Sequence, residues 1–233
     1  MKEYLDEQVA RINVPQFIEF DPVQFVHRYT RLQDVEIVAF TVATIAWGKR
    51  ESILKDATRM LQKMGCSPYD YVMEGGYRQL GTANVHRTFF EHHLATMLRG
   101  FHEILSHHDS MEAYLRSCFE ERAAEVDAWD IAPKLYLPYN VDKSALKRIN
   151  MALRWLVRTD GIVDLGVWSF IRPSQLYIPL DVHVANTARG LGLLQRKSND
   201  RKAVEELTAT LRTFCPDDPV KYDFALFGLG VEK

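Results

Sequence analysis

Residues 34–46, DVEIVAFTVATIA, are almost wholly apolar. A helix of that composition has no polar face to offer water, so other elements must cover it on every side. It is too short to cross a bilayer, and nowhere does the chain hold 18 uncharged apolar residues in a row. The segment therefore reads as the buried centre of an all-α fold. Asp34 is the expected N-cap, and Trp47-Gly48-Lys49-Arg50 breaks the helix.

Amphipathic segments able to cover this centre lie on both sides of it. Residues 3–12 and 22–32 read as short helices. Segment 51–64 puts Ile53, Leu54, Ala57, Met60 and Leu61 on one face and ends at Gly65. Residues 86–105 carry Phe89, Phe90, Leu94, Met97, Leu98, Phe101 and Leu105 at helical spacing, and 110–122 form another helix. A Pro-rich aromatic connection, 127–143, precedes a helix over 144–158. An irregular stretch, 159–180, leads to Asp181, which opens a helix stopping at Gly190 or Gly192. Helices over 200–214 and 219–227 close the pattern. No alternating strand set is present, so the class is all-α. The 233 residues fit one large domain or two small lobes.

Composition narrows the chemistry. With 47% apolar residues a chain of this size buries its core without disulfide or metal staples. A net charge of −2 excludes a uniformly basic nucleic-acid coat but leaves room for a local basic face. Cys66, Cys118 and Cys215 are odd in number and contain no CxxC pair, which excludes zinc ribbons and cysteine-ligated iron–sulfur clusters. Reduced thiols and a charge-alternating N-terminus, MKEYLDEQVARINVP, lead us to expect a cytoplasmic protein without a signal peptide or membrane span. Gly75-Gly76 sits in a turn and Gly228-Leu229-Gly230 follows a helix, so no nucleotide-cofactor loop is formed. Neither cofactor nor metal is expected.

Two features could carry chemistry. In IPLDVHV, residues 178–184, an extended Pro-containing loop delivers one aspartate, Asp181, to a helix start. N-capping alone accounts for an aspartate there. Helix 144–158 with Lys143 carries Lys143, Lys147, Arg148, Arg154 and Arg158 and no acid. Such a cationic strip is either a solvated face paired with acids elsewhere or a set of phosphate contacts.

The block IPLDVHVANTARGLGLL, with the later DDPVKYDFALFGLGV, resembles the C-terminal half of the helix-hairpin-helix/Gly-Pro-Asp DNA glycosylases. Upstream, Lys147-Arg148-Ile149-Asn150-Met151-Ala152-Leu153 is similar to the lysine-bearing helix of their bifunctional endonuclease III type. The resemblance covers roughly residues 20–230 and is nearest to archaeal 8-oxoguanine glycosylases, through bacterial proteins known only as a domain of unknown function. It implies one compact unit of two helical lobes, about 34–155 and about 1–33 plus 160–233, with a cleft between them, Asp181 as the catalytic aspartate and Lys147 as a Schiff-base lysine. It implies damaged DNA as the partner, an oxidised purine as the leading lesion, and a monomer. Lys143, Arg148, Arg154 and Arg158 would contact DNA. A flipped base needs a pocket with stacking faces, for which Trp47, Trp168, His183 and Phe227 are candidates.

The chain departs from that pattern in three places. Leu137-Pro138-Tyr139-Asn140-Val141-Asp142-Lys143 replaces the family's glycine hairpin, segment 159–180 is expanded, and Trp47-Gly48-Lys49-Arg50 stands where many members place a glutamine. Two other readings compete. His92-His93 and His107-His108-Asp109 could belong to a metal-dependent HD-type phosphohydrolase, or could be solvated loop residues. The loss of the hairpin glycines favours a non-catalytic nucleic-acid-binding module of the same fold.

Overall fold

Helix α3 (Leu32–Ile45) holds the centre of the protein, with every residue from Asp34 to Ile45 buried. The computed structural model describes residues 1–231; Glu232 and Lys233, the end of the second expected lobe, lie outside them. The other helices, in chain order, are α1 (Lys2–Ile12), α2 (Pro15–Phe20), α4 (Arg50–Met64), α5 (Pro68–Met73), α6 (Glu91–Leu105), α7 (Met111–Cys118), α8 (Ala128–Lys134), α9 (Lys147–Val157), α10 (Val182–Gly190), α11 (Arg201–Phe214) and α12 (Tyr222–Val231). Helix α9 and the 3-10 turn Pro22–Arg28 pack directly on α3, while α12 packs on both α1 and α10. The chain is all-α apart from a hairpin of two short antiparallel strands, β1 (Asn84–His86) and β2 (Phe89–Phe90).

Several boundaries differ from expectation for identifiable reasons. Asp34 is not the N-cap of α3. It lies in the first turn, and its carboxylate accepts the backbone N–H of Tyr69 at 2.7 Å, so it caps α5 from across the core. Residues 86–90 are hairpin instead of helix, because the fully buried His86 is held by the Asp56 carboxylate and the Trp47 carbonyl, both at 2.7 Å. The connection 127–143 contains α8, started by Asp127, whose carboxylate accepts the N–H groups of Trp129 and Asp130. The segment 22–32 is split, with the 3-10 turn ending before Tyr29. Asp181, Gly65 and Asp200 do bound α10, α4 and α11 as the sequence requires.

Glu36 is fully buried in mid-α3. Its carboxylate accepts the backbone N–H groups of Met111 and Glu112, both at 2.9 Å, and so fastens the start of α7. Burial pushes its carboxyl up to about 7 from 4.5, although these N–H groups oppose the shift. A raised folded-state value means that this group's share of stability is full below about 4.5 and is lost as pH rises through about 7. Glu36→Gln is therefore expected to flatten the pH dependence of the urea midpoint over that window.

Candidate functional site

An open cavity of about 960 Å³ is walled by the start of the 3-10 turn at Asp21 and Pro22, the α3–α4 loop, α9, the start of α10, and α12. Spacing explains which side chains reach it. Lys147, Met151 and Arg154 follow at i, i+4 and i+7 along α9, and Asp223, Phe227 and Gly230 do the same along α12. Gly230 lets α12 approach α10: a Cβ there would meet Thr187 Oγ1 at 3.0 Å and the His183 carbonyl oxygen at 3.2 Å.

Lys147 is the first residue of α9 and is half-buried; its amine donates to the Ala46 carbonyl at 3.3 Å. Among the described residues it has no carboxylate within 4 Å. Asp181 sits half-buried at the opening of α10, and its Oδ1 accepts the Val184 N–H at 3.0 Å. Both line the same cavity. The N-cap of α9 is Leu146, held in the left-handed region at φ 44°, a conformation that glycine reaches more easily. The half-buried Trp47 and Phe227 and the exposed His183 complete the wall, with Arg148 donating to the Thr44 carbonyl at 2.7 Å.

Three expected site residues, Lys143, Arg158 and Trp168, lie outside the cavity, and a fourth, Arg154, is locked into its wall. Trp168 is core, not pocket: only 2% exposed, it donates its indole N–H to Glu36 at 2.8 Å and tilts against Phe40. Its irregular loop does not leave it free, because a large ring with one donor is stable inside when that donor is satisfied. Arg158 is 4% exposed and bound to Asp160, Asp164 and Asp218, so it cannot reach a phosphate. Arg154 is equally buried between Asp164 and Asp223, and meets the cavity only as part of its wall. The cationic strip thus divides: its C-terminal arginines are interior ion pairs, and acids from residues 160–164, 218 and 223 supply the partners. Lys143 is exposed and outside the cavity lining; its carbonyl accepts the Arg201 N–H.

The sequence reading missed Asp223 and Asp21. Burial pushes the Asp223 carboxyl up to about 6; Arg154 opposes this, while nearby Asp181 adds to it. Burial also raises Asp21, which Arg154, Lys147 and Arg50 oppose. The signal for Asp223 was present in YDFALF, where it precedes Phe227 by one helical turn on the same face.

The histidine alternative does not assemble. His92 and His93 stand at the start of α6, where their rings touch each other, and His107 and His108 follow its end. A 15-residue helix separates the pairs by about 20 Å. Among the described residues no three His, Cys, Asp or Glu side chains are grouped to hold a metal ion. Among the described residues no helix is long and apolar enough to cross a membrane.

The fold and cavity thus define a mainly helical protein with a lysine and an aspartate at one concave site. The chain belongs to the family described as protein of unknown function DUF2400, whose model matches residues 21–232. Apart from Phe17, every cavity-lining residue falls inside that match. No curated protein and no solved structure matches the chain.

Proposed function

We propose that this protein is a DNA base-excision glycosylase with AP-lyase action through Lys147, built on the two-lobed helix-hairpin-helix/Gly-Pro-Asp architecture. One observation carries the reading. Lys147 and Asp181, distant in sequence, line one open cavity whose volume lies at the upper end of small-molecule sites. That space suits a flipped base. The lobes of about 34–155 and of about 1–33 plus 160–233 would flank it. We take the protein to act as a cytoplasmic monomer on damaged DNA, with an oxidised purine as the first lesion to try.

In this mechanism the Lys147 amine attacks C1′ of the extruded nucleotide. The N-glycosidic bond breaks and its electron pair leaves on the base. Asp181 stabilises the positive charge that develops on the sugar and accepts the proton released by the amine. Opening of the sugar ring then yields the imine. Trp47 and Phe227 offer aromatic faces, each worth about 1–3 kcal/mol if a base stacks on it.

Borohydride trapping across a lesion panel tests the reading. A covalent adduct is expected with wild type on at least one duplex and none with Lys147→Ala. An undiminished adduct in the variant, or none with wild type on any lesion, overturns it. Leu146 standing at a left-handed position, with no glycine in 137–143, supports the second reading, a binding module without chemistry. That module would hold an abasic-site duplex and release no product.

A further inference from the structure

The hairpin of β1 and β2 takes no part in the chemistry proposed above, yet it is anchored to the cavity wall at several points. His86 is fully buried and hydrogen-bonds the Trp47 carbonyl, and its ring meets the indole edge-on at 5.7 Å. Asp56 on α4 holds the other ring nitrogen at 2.7 Å and pairs with Arg59 at 3.0 Å. Arg59 in turn donates to the Val85 carbonyl at 2.6 Å. The next residue, Arg87, is forced into the left-handed region at φ 50°. A non-glycine residue rarely holds that conformation unless its surroundings impose it.

The result aims one exposed guanidinium at the cavity rim. The Arg87 Cζ lies 4.6 Å from the centre of the Trp47 ring. Gly48, at φ 103°, makes room for it, since a Cβ there would stand 2.6 Å from Arg87 Nη1. The Arg148 Cζ lies farther from the centre of the same indole, at 5.8 Å. Arg50 lies 5.5 Å from the Phe227 ring across the opening. Among the described residues none of Arg50, Arg87, Lys147 and Arg148 has a carboxylate within 4 Å. The deep arginines of α9, by contrast, are fully paired. The lining also carries Asp21, Glu51, Asp181 and Asp223, but among the described residues none of these stands within ion-pair distance of the four cations, which leaves the cations able to take up an anion at the opening. Guanidinium forks suit phosphate oxygens in particular.

We infer that the hairpin is a phosphate-gripping element, and that Arg87 holds the phosphate of the nucleotide whose base enters the cavity. Trp47 serves as the plate on which the guanidinium is laid, so its ring face toward Arg87 is occupied by the cation and is closed to a base. This rests on the DNA reading for the source of the phosphate but not for the site itself.

The test measures binding of a fluorescein-labelled duplex containing a tetrahydrofuran abasic analogue, at several salt concentrations. Wild type, Arg87→Gly and Arg87→Lys are compared, with inorganic phosphate and 2′-deoxyadenosine 5′-monophosphate titrated separately. Arg87→Gly is chosen because glycine keeps the left-handed backbone without strain. It is expected to weaken duplex binding roughly tenfold and to lower the salt slope by about one. Arg87→Lys should recover part of the affinity, having the charge without the fork. A duplex affinity and slope unchanged in Arg87→Gly would overturn the grip while leaving a trappable Lys147 untouched. If wild type binds no duplex but binds the mononucleotide in an Arg87-dependent way, the grip stands and the DNA reading falls. If neither probe binds, both fall.

Discussion

Replacing Asp181 with asparagine will leave the protein folded and slow single-turnover cleavage of a damaged duplex by about 10²- to 10⁴-fold. The two jobs of this side chain make the substitution decisive. As the N-cap of α10, Asp181 accepts the Val184 N–H at 3.0 Å, and asparagine caps a helix about as well. As a partner of Lys147 it must carry negative charge and accept a proton, and the amide does neither. The melting temperature should therefore barely move while the rate collapses. Asp181→Ala should lose the rate and about 1 kcal/mol of stability together. A rate within threefold of wild type in Asp181→Asn, on a substrate that wild type cleaves, would reduce Asp181 to a cap and leave Lys147 without its partner.

The all-α class and the central helix were legible because a segment as apolar as 34–46 can only be buried. Lys147 and Asp181 were legible as a pair only through the family resemblance, since their spacing alone does not bring them together. Three errors share one physical cause: periodicity reports which residues are apolar, not which distant residues pair with them. Arg154 and Arg158 read as DNA contacts because their acids, Asp164, Asp218 and Asp223, arrive from segments with no local relation to α9. Trp168 read as accessible because its loop is irregular, whereas Glu36 waits in mid-α3 to accept its N–H. The hairpin was hidden because Phe89 and Phe90 fit the helical spacing that continues into α6, and only the Asp56 and Trp47 contacts hold His86 in the strand. Asp34 shows the same limit in reverse, since it caps a helix, but not its own.

Asp164→Ala is expected to cost about 3–5 kcal/mol, the range for removing one partner from a buried ion pair. At roughly 2–4 °C per kcal/mol for a chain of this size, the melting temperature should fall by roughly 10 °C. Asp164 is fully enclosed; one oxygen meets Arg154 Nε at 3.2 Å and the other Arg158 Nη1 at 3.0 Å. Burial works against the charge on Arg158, but Asp218, Asp164 and Asp160 outweigh it and hold the guanidinium above its ordinary range. Neither arginine can shed its proton to escape once Asp164 is gone. Asp223, Asp160 and Asp218 remain as partial compensation and keep the loss from exceeding that range. Glu205→Ala provides the contrast: it breaks the half-exposed i, i+4 pair with Arg201 on α11 and should cost under about 1 kcal/mol. Urea denaturation of the two variants side by side measures the difference. Equal losses would mean that the Arg154–Asp164–Arg158 cluster is hydrated in solution and does not brace the wall of the cavity.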